Sequence, residues 1–268
     1  MAACSGPADY PGEVRDSAAS PHPHSGASRN PAGAAPLRDR LSGAPLPYEV
    51  TADLAGRTAA TLTVGDAASR VVVRAVTLPG RLYRISTPAG SGLAPRLAGA
   101  PGRQRLTLVP TGADGPDAVE ILLNRAVRWD LRLPAGAGEK HLDLTSGRLR
   151  RLVLGSAAGL VTLRLPRPAG PVPIVVTGPV GELTAEAPAG TPVRLRLRGG
   201  AGWVTVPWAT PEPAAPGVVT ATADYRTVRG RYAVDVRPEA GRITVTQPAV
   251  SAGRCVPSCS AGTPGRGR

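Results

Sequence analysis

Several residue types that carry chemistry or fill cores are scarce in this chain of 268 residues. It has no phenylalanine, one methionine, three cysteines and three histidines, and aromatic residues make up 3% of it. Residues 48–247 contain no cysteine and only one histidine, His141. A Ser-His-Asp or Cys-His catalytic arrangement therefore has a single candidate base. We expect that the protein is not an enzyme.

Long apolar runs and clustered metal ligands are also missing. No window of 18 or more apolar residues occurs, so the sequence predicts no transmembrane helix, and no basic and apolar signal segment is recognisable. His22 and His24 lie in a Pro-His-Pro-His run, whereas Cys255 and Cys259 could close a small disulfide loop or stay free thiols. Neither pair supplies the four ligands that zinc prefers. We predict no metal and no cofactor.

The sequence does contain a repeat that begins with glycine. It occurs five times, at Gly138, Gly159, Gly181, Gly202 and Gly241. The first four copies lie 21, 22 and 21 residues apart, and the last follows after 39. The second and fourth residues after each glycine are apolar, except for Lys140, which is the only lysine in the chain. A period of two predicts strands with one buried face, and a repeat of about 20 residues predicts stacked units.

The residues between the apolar positions predict two columns on the exposed face. Three residues after the glycines stand His141, Thr162, Thr184, Thr205 and Thr244. Five residues after the first three glycines stand Asp143, Arg164 and Glu186. Stacking would place neighbours about 4.8 Å apart, giving a threonine ladder and a column of alternating charge. We expect Leu163, Leu183 and Val204 to share one interior row.

Proline and glycine follow several strands, as in Pro188-Ala-Gly190, where they predict corners. Each unit is thus strand, corner, strand, corner. The sequence predicts an all-β fold, a single-stack β-solenoid similar to a parallel β-helix, with coils of about 21 residues. We place this domain at residues 48–247, with regular repeats over 128–206 and looser coils before and after.

Two flanking segments have the composition of linkers. Residues 1–47 are rich in Ala, Gly, Pro and Ser, and residues 248–268 are polar and basic. We predict that both are disordered tails. Within the body, residues 87–102 and 208–217 are rich in proline with glycine or alanine, and we interpret them as loops.

Basic residues exceed acidic ones, and the formal net charge is +13. Residues 1–48 are neutral and residues 249–268 carry +3, so the body carries +10. Its densest run is Arg194, Arg196 and Arg198, which alternate with apolar residues and so project from one strand face. That face would bind an anionic partner, or it is an ordinary solvated surface. The scarcity of aromatic stacking residues argues against nucleic acid.

Three tryptophans, Trp129, Trp203 and Trp208, could form a sugar-stacking surface, and three charged residues are further candidates. Trp129 has the parity of the core residues around it, whereas Trp203 has outward parity and is a possible contact aromatic. Lys140, Asp143 and Glu186 are the acid–base candidates if the chain is a polysaccharide-binding or polysaccharide-active solenoid. The alternative interpretation is that they are cross-strand charge partners.

The repeats resemble the toast-rack group of bacterial β-solenoids, which includes domains called "putative adhesin". The resemblance lies in Gly159-Leu-Val-Thr-Leu-Arg-Leu-Pro166, Gly202-Trp-Val-Thr-Val206 and Gly241-Arg-Ile-Thr-Val245, and covers residues 128–247. It implies a scaffold, an adhesin-like surface or a stress sensor of the cell envelope, with an envelope protein as partner. An anionic polymer is the alternative partner, on the evidence of the arginine run. Members are often tethered to the membrane, which this sequence does not show.

The first residues bear on that localisation. Met1-Ala-Ala-Cys4-Ser-Gly6 resembles the end of a bacterial lipoprotein signal. If translation starts upstream, Cys4 would carry a lipid and the domain would lie outside the cytoplasm, on a proline-rich tether. The alternative is a chance tetrapeptide at the start of a cytosolic protein that binds anionic partners through its arginine face.

Overall fold

The computed structural model describes residues 46–248. Within this range it contains β-strands and no helix. Ten strands form sheet A: β1 (Tyr48–Asp53), β3 (Ala68–Val76), β4 (Arg81–Thr87), β7 (Ala118–Asn124), β9 (Ala137–Asp143), β11 (Ala158–Arg164), β13 (Val180–Glu186), β15 (Ala201–Val206), β16 (Ala209–Ala214) and β19 (Ala240–Thr246). Nine strands form sheet B: β2 (Ala59–Val64), β5 (Leu93–Ala100), β6 (Arg103–Pro110), β8 (Arg128–Leu133), β10 (Arg148–Leu154), β12 (Pro171–Val176), β14 (Val193–Leu197), β17 (Val219–Ala221) and β18 (Arg231–Val236). The prediction of an all-β fold is confirmed for this part of the chain.

Both sheets are mostly parallel. Each has six parallel strand pairs, and sheet A has three antiparallel pairs against two in sheet B. The order in sheet A is β1-β4-β7-β3-β9-β11-β13-β19-β15-β16, and in sheet B it is β17-β14-β18-β12-β10-β8-β2-β6-β5. Seven times the chain passes from a strand of sheet B to the next strand in sequence, which lies in sheet A. We call each such pair of strands a unit.

The order of the units in space differs from their order in the chain. The unit β6–β7 lies on one side of β2–β3, and the next unit, β8–β9, lies on the other side. Near the C-terminal end, the unit β18–β19 is inserted between β12–β13 and β14–β15. The Gly241 copy therefore lies between the Gly181 and Gly202 copies. The longer interval of 39 residues before Gly241 reflects this insertion.

Apolar residues of the two sheets fill the space between them. In sheet A one interior row is formed by Val161, Leu183, Ile243 and Val204. The expectation that Leu163 shares this row was wrong, because Leu163 pairs with Ala185, two residues further along the strand. In sheet B the facing row is Leu131, Leu152, Ile174, Val234 and Leu195. Burial of each such side chain contributes about 1.5–3 kcal/mol to folding.

The repeated glycines stack in a column at the start of the sheet A strands. A methyl group on Gly159 would lie 3.0 Å from the carbonyl oxygen of Gly138, and one on Gly241 would lie 2.4 Å from that of Gly181. Both distances are shorter than an unstrained contact between carbon and oxygen. The repeat thus begins with glycine because neighbouring backbones approach too closely for any side chain.

Antiparallel strands cover the ends of both sheets. The edge strand β5 contains Pro95, and the edge strand β16 contains Pro211 and Pro213. These strands lie within residues 87–102 and 208–217, so the prediction of loops there was wrong. Proline is tolerated at a sheet edge because no further strand needs its missing N–H, and it discourages pairing with another chain.

Residues 1–45 and 249–268 lie outside the described range. They contain most of the two predicted tails, together with Cys4, His22, His24, Cys255 and Cys259. Within the described residues, none belongs to a helix that could cross a membrane.

Candidate functional site

The outer face of sheet A carries the two predicted columns. The register aligns His141, Thr162, Thr184, Thr244 and Thr205 on successive strands, so the threonine ladder is confirmed with Thr244 in fourth place. The same register aligns Asp143, Arg164 and Glu186. The Arg164 guanidinium lies 3.9 Å from Asp143 and 3.2 Å from Glu186. The column of alternating charge is therefore a set of ion pairs.

This arrangement bears on the acid–base candidates. Asp143 and Glu186 lie on strands two spacings apart, and the guanidinium of Arg164 occupies the space between their carboxylates. A glycosidase needs that space for the scissile bond and, in inverting enzymes, a water molecule. The structure therefore does not bring these two carboxylates together as an acid–base pair.

The third candidate, Lys140, is buried. It occupies an interior position between Val71 and Val161, and it is 1% exposed. Its ammonium group donates hydrogen bonds to the carbonyl oxygens of Ala135 at 2.9 Å and Gly155 at 3.0 Å. Burial lowers the pKa of Lys140 to about 8. The side chain is enclosed in the core and does not reach the outer face with Asp143.

His141 lies in the threonine ladder on the outer face. Its Nε2 is 3.1 Å from the carboxylate of Glu139, which also pairs with Arg70 at 2.9 Å. The hydrogen bond from His141 and the charge of Arg70 lower the pKa of Glu139. Among residues 46–248 no serine or cysteine hydroxyl or thiol is hydrogen-bonded to His141. Within the same range, no group of three His, Cys, Asp or Glu side chains could hold a metal ion.

The predicted arginine face lies on and just after β14. Arg198 pairs with Asp235 of β18 through two contacts of 2.9 Å, and this pair lowers the pKa of Asp235. Arg194 lies over the ring of Tyr225, 5.0 Å from its centroid. Arg196 is exposed and makes no ion pair with a described residue. Two of the three guanidinium groups are therefore engaged within the domain.

The tryptophans have the orientations that their parity predicted. Trp129 is buried, and its indole N–H donates to the carbonyl oxygen of Asn124 at 3.0 Å. Trp203 is 40% exposed on sheet A, beside Arg242 of the neighbouring strand. Trp203 is thus available as a contact residue at one end of this face.

Charge is divided unequally between the two sheets. The strands of sheet A hold seven basic and eight acidic residues, a net charge of −1, whereas those of sheet B hold eleven arginines and two acidic residues, a net charge of +9. Most arginines of sheet A have acidic partners, in the pairs Arg70–Glu139, Arg74–Glu120, Arg84–Glu49, Arg81–Asp53 and Arg164–Glu186. The excess positive charge of the body is therefore concentrated on the outer face of sheet B.

Sequence reasoning did not identify the central part of this basic face. Arg103 and Arg105 of β6 alternate with inward residues, and Arg150 and Arg151 of β10 are both exposed. The alternation at Arg103 and Arg105 was visible in the sequence and would have indicated an exposed basic strand face. That β6 and β10 lie on the same sheet, on either side of β2 and β8, depends on the order of the units and could not be read from the repeat.

The fold is similar to that of a solved structure. A "putative cell adhesion protein" from Clostridium sporogenes, with a crystal structure at 1.95 Å resolution, matches with a TM-score of 0.57 and 17% sequence identity. The match covers 76% of this chain and 99% of that chain. At this identity the likeness shows the fold alone. No family model matches the chain, and no curated protein matches it significantly.

Proposed function

We propose that residues 48–247 form a non-enzymatic, adhesin-like β-solenoid that works at the bacterial cell envelope and presents flat sheet faces to another envelope component. The observation that carries the proposal is the fold shared with the Clostridium sporogenes protein, which is named for cell adhesion and is covered over 99% of its chain. A scaffold or a stress-sensing surface would use the same faces. Each unit contributes one strand to each sheet, which supports describing the units as solenoid coils.

The chemistry of the faces supports a binding role over a catalytic one. The carboxylates of Asp143 and Glu186 are held apart by Arg164, and Lys140 is enclosed in the core. What the domain offers is two broad ladders of outward side chains, one nearly neutral and one strongly basic. Rigid ladders of this kind suit contact with an extended partner.

Cell fractionation tests the proposed localisation. The full-length protein with an internal epitope tag, expressed from its own gene in its native host, should be recovered with the cell envelope. A protease added to intact cells should degrade it while a cytosolic marker survives. Recovery with the cytosol, in a form that the external protease does not cleave, would contradict the proposal.

A lipid on Cys4 is a separate part of the proposal. A Cys4→Ser variant should move from the membrane fraction to a soluble envelope fraction, and it should lose incorporation of a labelled fatty acid. Unchanged partitioning and labelling would remove the lipid anchor without contradicting the envelope localisation.

A further inference from the structure

A groove of about 690 Å³ crosses the outer face of sheet B. Its lining comes from β5, β6, β2, β8 and β10: Thr61, Thr63, Ala98, Gly99, Arg103, Gln104, Arg105, Asp130, Arg132, Arg150 and Arg151. We name it the arginine groove. It is separate from the predicted arginine face on β14, because β12 and β18 lie between β10 and β14.

The floor and walls of the arginine groove follow from the register. Thr61 of β2 pairs with Arg103 of β6 on one side and with Asp130 of β8 on the other, and Asp130 pairs with Arg151 of β10. The short threonine side chains form the floor, since the long side chains stand on the strands beside them. Two strand spacings, about 10 Å, separate β6 from β8, and a third spacing places Arg150 and Arg151 of β10 about 14 Å from β6.

An irregularity in β10 adds to the positive charge of one wall. The pairing of β10 with β8 shifts between Leu149 and Arg151, so that Arg150 has no partner in the register. As a result Arg150 and Arg151 are consecutive in sequence yet both exposed. A regular strand would have turned one of them towards the core.

The charges in the arginine groove are not balanced by the protein. The lining contains five arginines and one acidic residue, Asp130, which contacts Arg132 at 3.2 Å and 3.4 Å. The remaining four arginines make no ion pair with a described residue: Arg103, Arg105, Arg150 and Arg151. Like charges on neighbouring positions of one strand repel one another, and a bound anion would relieve the repulsion. Guanidinium groups match the planar, two-oxygen geometry of carboxylate, sulfate and phosphate.

The width of the arginine groove and its uncharged lining residues favour some classes of anionic partner over others. The strands that carry the unpaired arginines lie about 14 Å apart, which admits one extended polymer chain, whereas a nucleic-acid duplex would rest across the walls. The lining contains no aromatic residue on which single-stranded bases could stack. The hydroxyl groups of Thr61 and Thr63 can instead bond to the hydroxyl groups of a sugar.

We infer that the arginine groove binds a linear acidic polysaccharide, with Arg103 and Arg105 on one side of the polymer and Arg150 and Arg151 on the other. The inference rests on the proposed function, because it names the partner class of an envelope-facing surface. Carboxylate or sulfate groups on successive sugars would contact the two walls, while sugar hydroxyl groups face the threonine floor.

Binding measurements on the purified full-length chain test this inference. The probes are a polygalacturonate oligomer, which carries carboxylates, a dextran sulfate of similar length, and a neutral dextran. The groove variant is Arg103→Gln with Arg151→Gln, and the matched control is Arg194→Gln with Arg196→Gln. Both remove two charges from the same sheet. We expect at least about tenfold weaker binding for the groove variant and at most about threefold for the control. Neutral dextran should not bind.

A third variant tests geometry without changing charge. A methyl group on Gly65 would lie 2.6 Å from the Arg105 side chain, so Gly65→Ala should displace that guanidinium and weaken binding. This variant also keeps the inference testable if the double variant does not fold.

The inference is overturned if neither acidic polysaccharide binds, or if groove and control variants weaken binding equally, which would indicate attraction by net charge alone. Tighter binding of a thymidine oligonucleotide, or of vesicles with phosphatidylserine, would assign the groove to another partner class. Because these measurements use purified protein, their failure is distinguishable from a failure of the proposed envelope localisation, which fractionation reports.

Discussion

The Nζ atom of Lys140 lies 3.0 Å from the carbonyl oxygen of Gly155, so a buried cation on β9 is hydrogen-bonded to the turn between β10 and β11. The only lysine of the chain thus connects two neighbouring units from inside the core. The other partner is the carbonyl oxygen of Ala135, which precedes β9. Lys140 is the one exception to the apolar interior positions of the repeat. Its ammonium group is accommodated there because two backbone carbonyl oxygens accept its hydrogen bonds.

The buried amine makes stability depend on pH. Burial lowers the pKa of Lys140 to about 8, below its ordinary value in the unfolded chain. Between these two values the unfolded chain binds more protons, so the free energy of unfolding should rise with pH from about 8, by no more than about 1.4 kcal/mol per pH unit. Urea unfolding between pH 7 and 9.5 measures this slope.

A Lys140→Met variant is the control for that slope. It should show little increase over the same pH range, since no other described core residue titrates there. The range stops at 9.5 because burial raises the pKa of Tyr83 and Tyr232, which opposes the increase at higher pH. Equal slopes in the two proteins would exclude Lys140 as their source.

The glycine column predicts a graded effect of alanine. Gly241→Ala places a methyl group 2.4 Å from a backbone carbonyl oxygen, and Gly159→Ala places one 3.0 Å away. We expect losses of about 1–3 kcal/mol in the free energy of unfolding, larger at Gly241. Gly170 has nothing within 4 Å of the added methyl position, so Gly170→Ala should change stability by less than about 0.5 kcal/mol. Similar losses for all three variants would mean that glycine is not needed for close approach.

The sequence predicted the strands and their exposed columns well. The period of two correctly oriented Trp129 inward and Trp203 outward, because parity depends only on local backbone geometry. The threonine ladder followed from the repeat. Lys140 was visible as an exception, but the repeat did not show which backbone carbonyl oxygens its ammonium group would contact, since Gly155 belongs to a neighbouring unit.

The order of the units could not be predicted, because all copies of the repeat present similar edges to one another. Only the longer interval before Gly241 indicated that the units do not stack in the order of the chain. The sequence also did not show that two arginines of the predicted arginine face on β14 contact other parts of the domain. Arg198 is paired with Asp235, and Arg194 with Tyr225, from segments far along the chain.

Disulfide formation tests the order of the units. In a background with Cys4, Cys255 and Cys259 changed to serine, Thr184→Cys with Thr244→Cys should oxidise readily, because these residues pair on adjacent strands. Thr184→Cys with Thr205→Cys should not, since β19 lies between and two strand spacings of about 10 Å exceed the reach of a disulfide. Preferential closure of the second pair would contradict the inserted position of β18–β19.

If the unpaired positive charge of sheet B forms a specific site for an acidic polymer, the bound polymer should shield its arginines from chemical modification. Modification of arginines with phenylglyoxal, with and without the polygalacturonate oligomer and followed by mass spectrometry of peptides, measures this shielding. The polymer should protect Arg103, Arg105, Arg150 and Arg151, while Arg196 of β14 and Arg74 of sheet A react as before. Equal protection of all these residues, or protection of Arg196 alone, would contradict this prediction.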